Sequence, residues 1–140
     1  MATPNPKYAD WTLRIAASGM FLGHGILALG QKASFVSLIT GTFPMISTET
    51  ATRMLPILGA IDVTAAILVL FWPARFLLFG GALWAFATAL SRPLAAPGFF
   101  EGGFLAAPLW DFIERFANVG VPLALLWLRG WPETVKEWFS

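Results

Sequence analysis

Six residues in this chain combine a chemically able side chain with an apolar setting: His24, Asp62, Arg92, Glu114, Arg115 and Asn118. Each lies within or at the edge of a long run of aliphatic and aromatic residues. An ionisable group at membrane depth costs at least about 2.5–3.5 kcal/mol on insertion scales, so its retention is read as functional. At about 1.5 Å rise per helical residue, His24 lies about 9 Å before Gly30, and Asp62 about 12 Å beyond Met54. On the same scale Glu114 lies about 8 Å and Asn118 about 13 Å beyond Leu109, with Arg115 beside Glu114. Arg92 and Ser91 close a further run. If the runs are helices that alternate in direction, all these groups fall in one half of the membrane. The residues by themselves point to a shared polar pocket in that half of the membrane.

Spacing supports a shared cluster. Asp111, Glu114, Arg115 and Asn118 follow i, i+3, i+4, i+7, which is one helical stripe. Trp84, Thr88, Ser91 and Arg92 form a second. Gly59, Ala65 and Ala66 flank Asp62 at i−3, i+3 and i+4, as expected where helices meet, so Asp62 should point inward and the Glu114/Arg115 stripe should meet Arg14, His24, Asp62 or Arg92. The competing reading is a structural ion-pair network, with His24 an ordinary hydrogen-bonded residue of the bundle. A single histidine excludes bis-histidine haem and a histidine-based metal centre within one chain. The absence of cysteine removes disulfides, thiolate metal sites, iron–sulfur clusters and c-type haem. No nucleophile triad, phosphate loop or paired-carboxylate spacing is present.

The elements that must carry these residues follow from composition. Of 140 residues, 57% are hydrophobic and 12% charged, with mean hydropathy +0.70. Soluble domains carry about 25% charge, so this chain cannot clothe an aqueous surface. Thirteen Phe and seven Trp against one Tyr fit lipid-facing and interfacial positions. A net charge of +1 without a basic cluster argues against nucleic acid. MATPNPKYAD lacks the features of a cleavable leader, so the first apolar stretch is read as a retained helix.

The predicted architecture is all-α: a membrane-embedded antiparallel four-helix bundle forming a single domain over 1–140. Its spans are expected at about 11–30, 54–71, 74–91 and 109–128, each near the roughly 20 residues a crossing needs. Pro73 divides the second from the third. Ala33 to Ile39 is expected as a short interfacial helix and Thr40 to Pro44 as a turn. Asn118, Gly120 and Pro122 mark an expected kink. Gly19-x-x-x-Gly23 is read as close helix packing within the bundle. Trp127, Trp131, Trp138 and Phe139 are read as an interfacial anchor. Phe99, Phe100 and Phe104 in the Gly- and Pro-rich 92–108 segment are read as a lid over the bundle mouth.

Three segments, LRIAASGMFLGHGILALGQK (Leu13 to Lys32), LGAIDVTAAILVLFWPAR (Leu58 to Arg75) and PLWDFIERFANVGVPLALLWLRG (Pro108 to Gly130), together resemble the DoxX-like family of small four-helix membrane proteins. That family has relatives in the membrane subunit of thiosulfate:quinone oxidoreductases. The resemblance implies a membrane subunit near quinone-linked or sulfur-related redox chemistry, working with partner subunits. A quinone would then be the ligand, with His24 and Asp62 on its oxygen and Glu114, Arg115 and Arg92 tuning the charge. Two other readings stay open: a non-catalytic accessory subunit of a larger membrane complex, and a small transporter with Asp62 and Glu114 as proton sites.

Lys7, Arg14, Arg75, Arg129 and Lys136 fall on the side of the termini, against Lys32, Arg53, Arg92 and Arg115 on the other, which favours cytoplasmic termini in a bacterial inner membrane. Reporter fusions at the C-terminus and within 97–103 should therefore read opposite compartments. A shared compartment would show that the span count is wrong.

Overall fold

The computed structural model describes residues 6–96 and 107–140, and among these the regular structure is entirely helical. The order is α1 (Pro6–Leu29), α2 (Ala33–Thr42), α3 (Thr48–Phe71), α4 (Arg75–Ala95), α5 (Ala107–Glu114) and α6 (Phe116–Leu128), followed by a 3-10 turn, Val135–Phe139. Helices α1, α3 and α4 are long and apolar enough to cross a membrane. Their 24, 24 and 21 residues correspond to about 36, 36 and 32 Å. Ile15, Ile26, Ile57, Ile61, Ile67 and Leu83 are all more than half exposed, as side chains facing lipid are.

Two predicted boundaries move for local reasons. Helix α3 begins at Thr48, well before Met54, because Ser47 caps it: its Oγ accepts the Thr50 N–H at 3.1 Å. The expected fourth span is not one helix but α5 and α6, joined at Arg115 (φ −83°, ψ 0°). There the Arg115 N–H turns to Phe112 O at 3.2 Å, and the Asn118 N–H bonds Arg115 O at 2.9 Å. The Asp111 carbonyl, which the Arg115 N–H would meet in an α-helix, instead accepts the Arg115 guanidinium Nη1 at 2.9 Å. A side chain has replaced a rung of the helix. The break thus falls at Arg115 rather than at the expected kink, and α6 runs through Pro122.

Between 29 and 48 the chain turns twice. Gln31 takes φ +51° two residues beyond α1, with Lys32 N–H on Leu27 O at 3.1 Å and Gln31 N–H on Ala28 O at 2.9 Å, a Schellman stop. The Gln31 side chain then donates to Thr52 O at 3.4 Å. Thr52 needs that donor because Pro56, four residues on, has no N–H to offer. Helix α2 runs to Thr42, through the start of the turn expected over Thr40–Pro44.

Packing relies on small residues. Buried positions form one stripe per helix: Ala17, Phe21, Gly25 and Ala28 on α1; Ala51, Leu55, Gly59, Asp62, Ala66 and Val69 on α3; Leu78, Ala82, Ala85 and Ala89 on α4. The α1–α3 interface is the most extensive, α4 packs on α6, and α3 and α4 touch little despite their tight hairpin. At the α1–α3 crossing a Cβ on Gly59 would stand 2.7 Å from Gly25 O and Leu29 N, and one on Gly25 would stand 2.9 Å from Gly59 O. Backbones touch there. Gly19 and Gly23, expected to pack inside the bundle, have nothing within 4 Å of such a Cβ and face outward.

The hairpin end is tied by charge. Asp10 receives Arg14 at 2.6 Å and Arg129 at 3.1 Å, and Arg14 also donates to Leu70 O at 3.4 Å. Arg14 is therefore remote in role from Glu114 and Arg115, contrary to one expected pairing. Arg75 donates to Gly130 O at 2.9 Å and Glu137 O at 3.1 Å, and also to Arg129 O, binding the α6 terminus and the tail to α4. Around it Phe79, Trp131 and Trp138 stack edge to face, with Phe76 on Phe139. The Glu133 N–H and the Thr134 hydroxyl hold the exposed Glu137 carboxyl below the usual carboxylate range.

Gly59→Ala should destabilise the fold by about 1–3 kcal/mol, because the added carbon meets backbone that cannot yield. Gly19→Ala should be neutral or gain up to about 1 kcal/mol from helix propensity. Unfolding of both variants in mild detergent, followed by tryptophan fluorescence, checks the contrast.

Candidate functional site

The α1–α3 crossing also positions the polar residues. His24 precedes Gly25 and Asp62 follows Gly59 by three, so the backbone contact brings both to the same end of the crossing. A cavity of about 500 Å³ opens there. Its walls include His24 of α1, Leu55, Leu58 and Asp62 of α3, Trp84, Thr88, Ser91 and Arg92 of α4, and Arg115 at the α5–α6 turn. The volume lies in the range of small-molecule sites, and the lining has their usual form, largely apolar with a few convergent polar groups.

Helix α2 covers the cavity. Phe35, Leu38, Ile39 and Thr42, spaced i, i+3, i+4, i+7, turn one face onto it. None of α2 is fully buried, yet it is pinned at its C-terminal end. A Cβ on Gly41 would lie 2.8 Å from the Ala95 Cβ and 3.1 Å from Ala95 O, and Thr42 Oγ1 donates to Ser91 O at 3.3 Å. At its other end the Phe35 ring meets His24 edge to face, with centroids 6.1 Å apart, and Lys32 Nζ stands 5.6 Å over Phe35. The sequence marked Ala33 to Ile39 as a short interfacial helix, but what its apolar face would cover is a tertiary fact. The segment 97–106, where the Phe99, Phe100 and Phe104 lid was expected, lies outside the described residues.

Among the candidate residues, His24, Asp62, Arg92 and Arg115 line the cavity together. Asp62 is buried, 6% exposed, with the Trp84 indole close enough to act on its carboxyl. His24 sits in the positive field of Arg115, Arg92 and Lys32. Arg115 pairs with the adjacent Glu114. Arg92 feels Arg115 against it, and Asp111 and Glu114 for it, but among the described residues it has no ion-pair or hydrogen-bond partner. The ring nitrogens of His24 are likewise unclaimed among the described residues.

Glu114 and Asn118 are not brought into the cavity. The Glu114 side chain is 64% exposed, so the inward Glu114 expected from the stripe is corrected. The physical reason is the turn at Arg115, which ends the i, i+3, i+4, i+7 register before Asn118. Asn118 lies half-buried on α6, its N–H spent on Arg115 O. Among the described residues no group of three or more His, Cys, Asp or Glu side chains could hold a metal ion. The site's means are hydrogen-bond donors, fixed positive charge and one buried carboxyl.

Comparison of the chain with protein-family models, with characterised proteins and with solved structures gives no match.

Gly41→Val should lift α2 from Ala95 and open the cavity. With Thr88→Cys as reporter in a chain that has no other cysteine, labelling by a water-soluble methanethiosulfonate should accelerate several-fold. An unchanged rate would show that α2 does not control access.

Proposed function

We propose that the chain is a DoxX-like membrane protein that binds a quinone in the cavity beneath α2, in association with a quinone-linked oxidoreductase system. The observation that carries this reading is the convergence of His24, Asp62, Arg92 and Arg115 on one apolar cavity of about 500 Å³. A quinone is a flat apolar ring with acceptor oxygens at its edge. Its ring matches the walls provided by Phe35, Leu38, Leu55 and Leu58, and its oxygens match the unclaimed donors of His24 and Arg92. Asp62 is placed to take or give a proton at the ligand oxygen. The electron donor lies outside this chain, in a partner protein.

The membrane arrangement in this reading is an antiparallel four-helix bundle, with α5 and α6 jointly making the fourth crossing. Helix α6 alone rises about 20 Å, short of a hydrocarbon core of about 30 Å, and α5 supplies the rest. The Asp10–Arg14–Arg129 and Arg75 ties gather the start of α1, the end of α3, the start of α4 and the end of α6 at one level, which supports that arrangement. The basic-residue bias supports placing this level at the cytoplasmic face of a bacterial cell membrane, and Trp131, Trp138 and Phe139 suit an interface at that level.

A second reading, an accessory subunit packed in a larger membrane complex, is favoured by one observation. Gly19 and Gly23 lie on a bare outer face of α1, where a partner helix could approach closely.

Titration of the purified protein in mild detergent with a short-chain quinone, followed by tryptophan quenching, tests the first reading. His24→Ala should weaken binding about ten- to a hundredfold while leaving the melting temperature nearly unchanged. If the unaltered protein binds no quinone, and His24→Ala only melts earlier, the accessory reading takes its place.

A further inference from the structure

The charge in the cavity wall is unbalanced. Two guanidinium groups, Arg92 and Arg115, line it with His24, and Lys32 lies close enough to act on the His24 ring. Among the described residues one carboxylate, Asp62, lines it from α3; the Trp84 indole lies close to it, and it forms no ion pair with an arginine. Glu114 pairs with Arg115 from an exposed position outside the cavity, and Asp111 gives that guanidinium its carbonyl. Neither acid forms an ion pair with Arg92. At the opposite end Arg14 and Arg129 both pair with Asp10, although the buried Nε of each has no hydrogen-bond acceptor among the described residues, and Arg75 donates to backbone carbonyls. A half-buried guanidinium without a partner loses hydration and gains nothing in return. Among the described residues Arg92 is in that situation, and it lines an apolar volume.

We propose that the cavity binds an amphiphile whose head is a delocalised two-oxygen anion, with Arg92 as its principal partner and Arg115 and His24 flanking it. The apolar body of the ligand lies against α2, and the head meets the planar donor fork of Arg92, whose geometry suits two oxygens on one centre. Two sources have this chemistry. One is a long-chain carboxylate. The other is a quinone bearing an ionised ring hydroxyl, which is a vinylogous carboxylate. The inference rests on the reading of the cavity as a ligand site, but not on the ligand being a neutral quinone.

The test uses the full chain in nanodiscs of zwitterionic lipid at neutral pH, with two matched pairs of probes. Dodecanoate is paired with dodecanol, and an alkylated hydroxynaphthoquinone with the same compound lacking the hydroxyl. Binding is read by tryptophan quenching, with Trp84 in the cavity wall. Each anionic probe is expected to bind about tenfold or more tighter than its neutral match, equivalent to about 1.4 kcal/mol. Arg92→Gln should abolish the preference and leave neutral binding in place. Arg92→Lys should retain part of it, and the exposed Arg53→Gln should change nothing. Arg115→Gln is the second variant should Arg92→Gln fail to fold, and it should reduce the preference in the same direction. Neutral and anionic probes binding alike, in wild type and Arg92→Gln, would overturn the proposal and leave the quinone reading standing. Dodecanoate binding with neither naphthoquinone would uphold the anion site and remove the quinone. The hydroxynaphthoquinone binding without dodecanoate would identify the ionised quinone as the source. Binding of no probe would defeat both readings.

Discussion

The structure depends on one contact: the crossing of α1 and α3 at Gly25 and Gly59, where main chain meets main chain. In lipid there is little hydrophobic gain from bringing helices together, because acyl chains solvate leucine as well as leucine does. Association must come from close van der Waals contact, and that requires residues without bulk at the crossing. Here the requirement is met by two glycines, with Ala17, Ala28, Ala51 and Ala66 continuing the seam on either side. Because His24 adjoins one glycine and Asp62 lies one turn from the other, the contact that holds the helices also places the polar groups.

The two ends of the molecule treat charge in opposite ways. At the hairpin end Asp10 is shared by Arg14 and Arg129, and Arg75 closes the carbonyl end of α6 and the tail. Carbonyls at a helix C-terminus carry partial negative charge, so a guanidinium there is both donor and counter-charge. The end is a lock. At the cavity end α2 bridges α3 and α4, and positive groups face an apolar volume with Asp62 the one carboxylate opposite among the described residues. A stable bundle gains nothing from that arrangement, and the proposal of a binding site rests on this contrast.

Pro56 and Arg115 each disturb a helix locally, and both disturbances are compensated. Pro56 leaves the Thr52 carbonyl without its α-helical donor, and Gln31 reaches across to supply one. Arg115 takes the Asp111 carbonyl with its own side chain, which bends the chain into α5 and α6 and brings its guanidinium to the cavity. These are side-chain events with backbone consequences, and they decide which polar residues meet.

By itself the sequence determined the class of molecule, because composition and run length are one-dimensional quantities: apolar stretches of span length, few charges and Pro73 at a hairpin sufficed for α1, α3 and α4. It also carried half of the site. The stripe Trp84, Thr88, Ser91 and Arg92 and the small residues around Asp62 place those side chains on one face by helical period alone. What the tertiary structure decided were the features that depend on a neighbour in space. Gly19 and Gly23 carry the more familiar spacing, yet Gly25 and Gly59 make the contact, since which face of a uniformly apolar helix turns inward depends on its partner. Asp111, Glu114, Arg115 and Asn118 share a stripe on paper, but a turn at Arg115 takes Asn118 out of it, because the guanidinium competes for a carbonyl, which no residue count reveals. Helix α2 reads as a short interfacial piece until its contacts with α3 and α4 are seen. Its Phe35, Leu38, Ile39 and Thr42 wall the cavity only in that place.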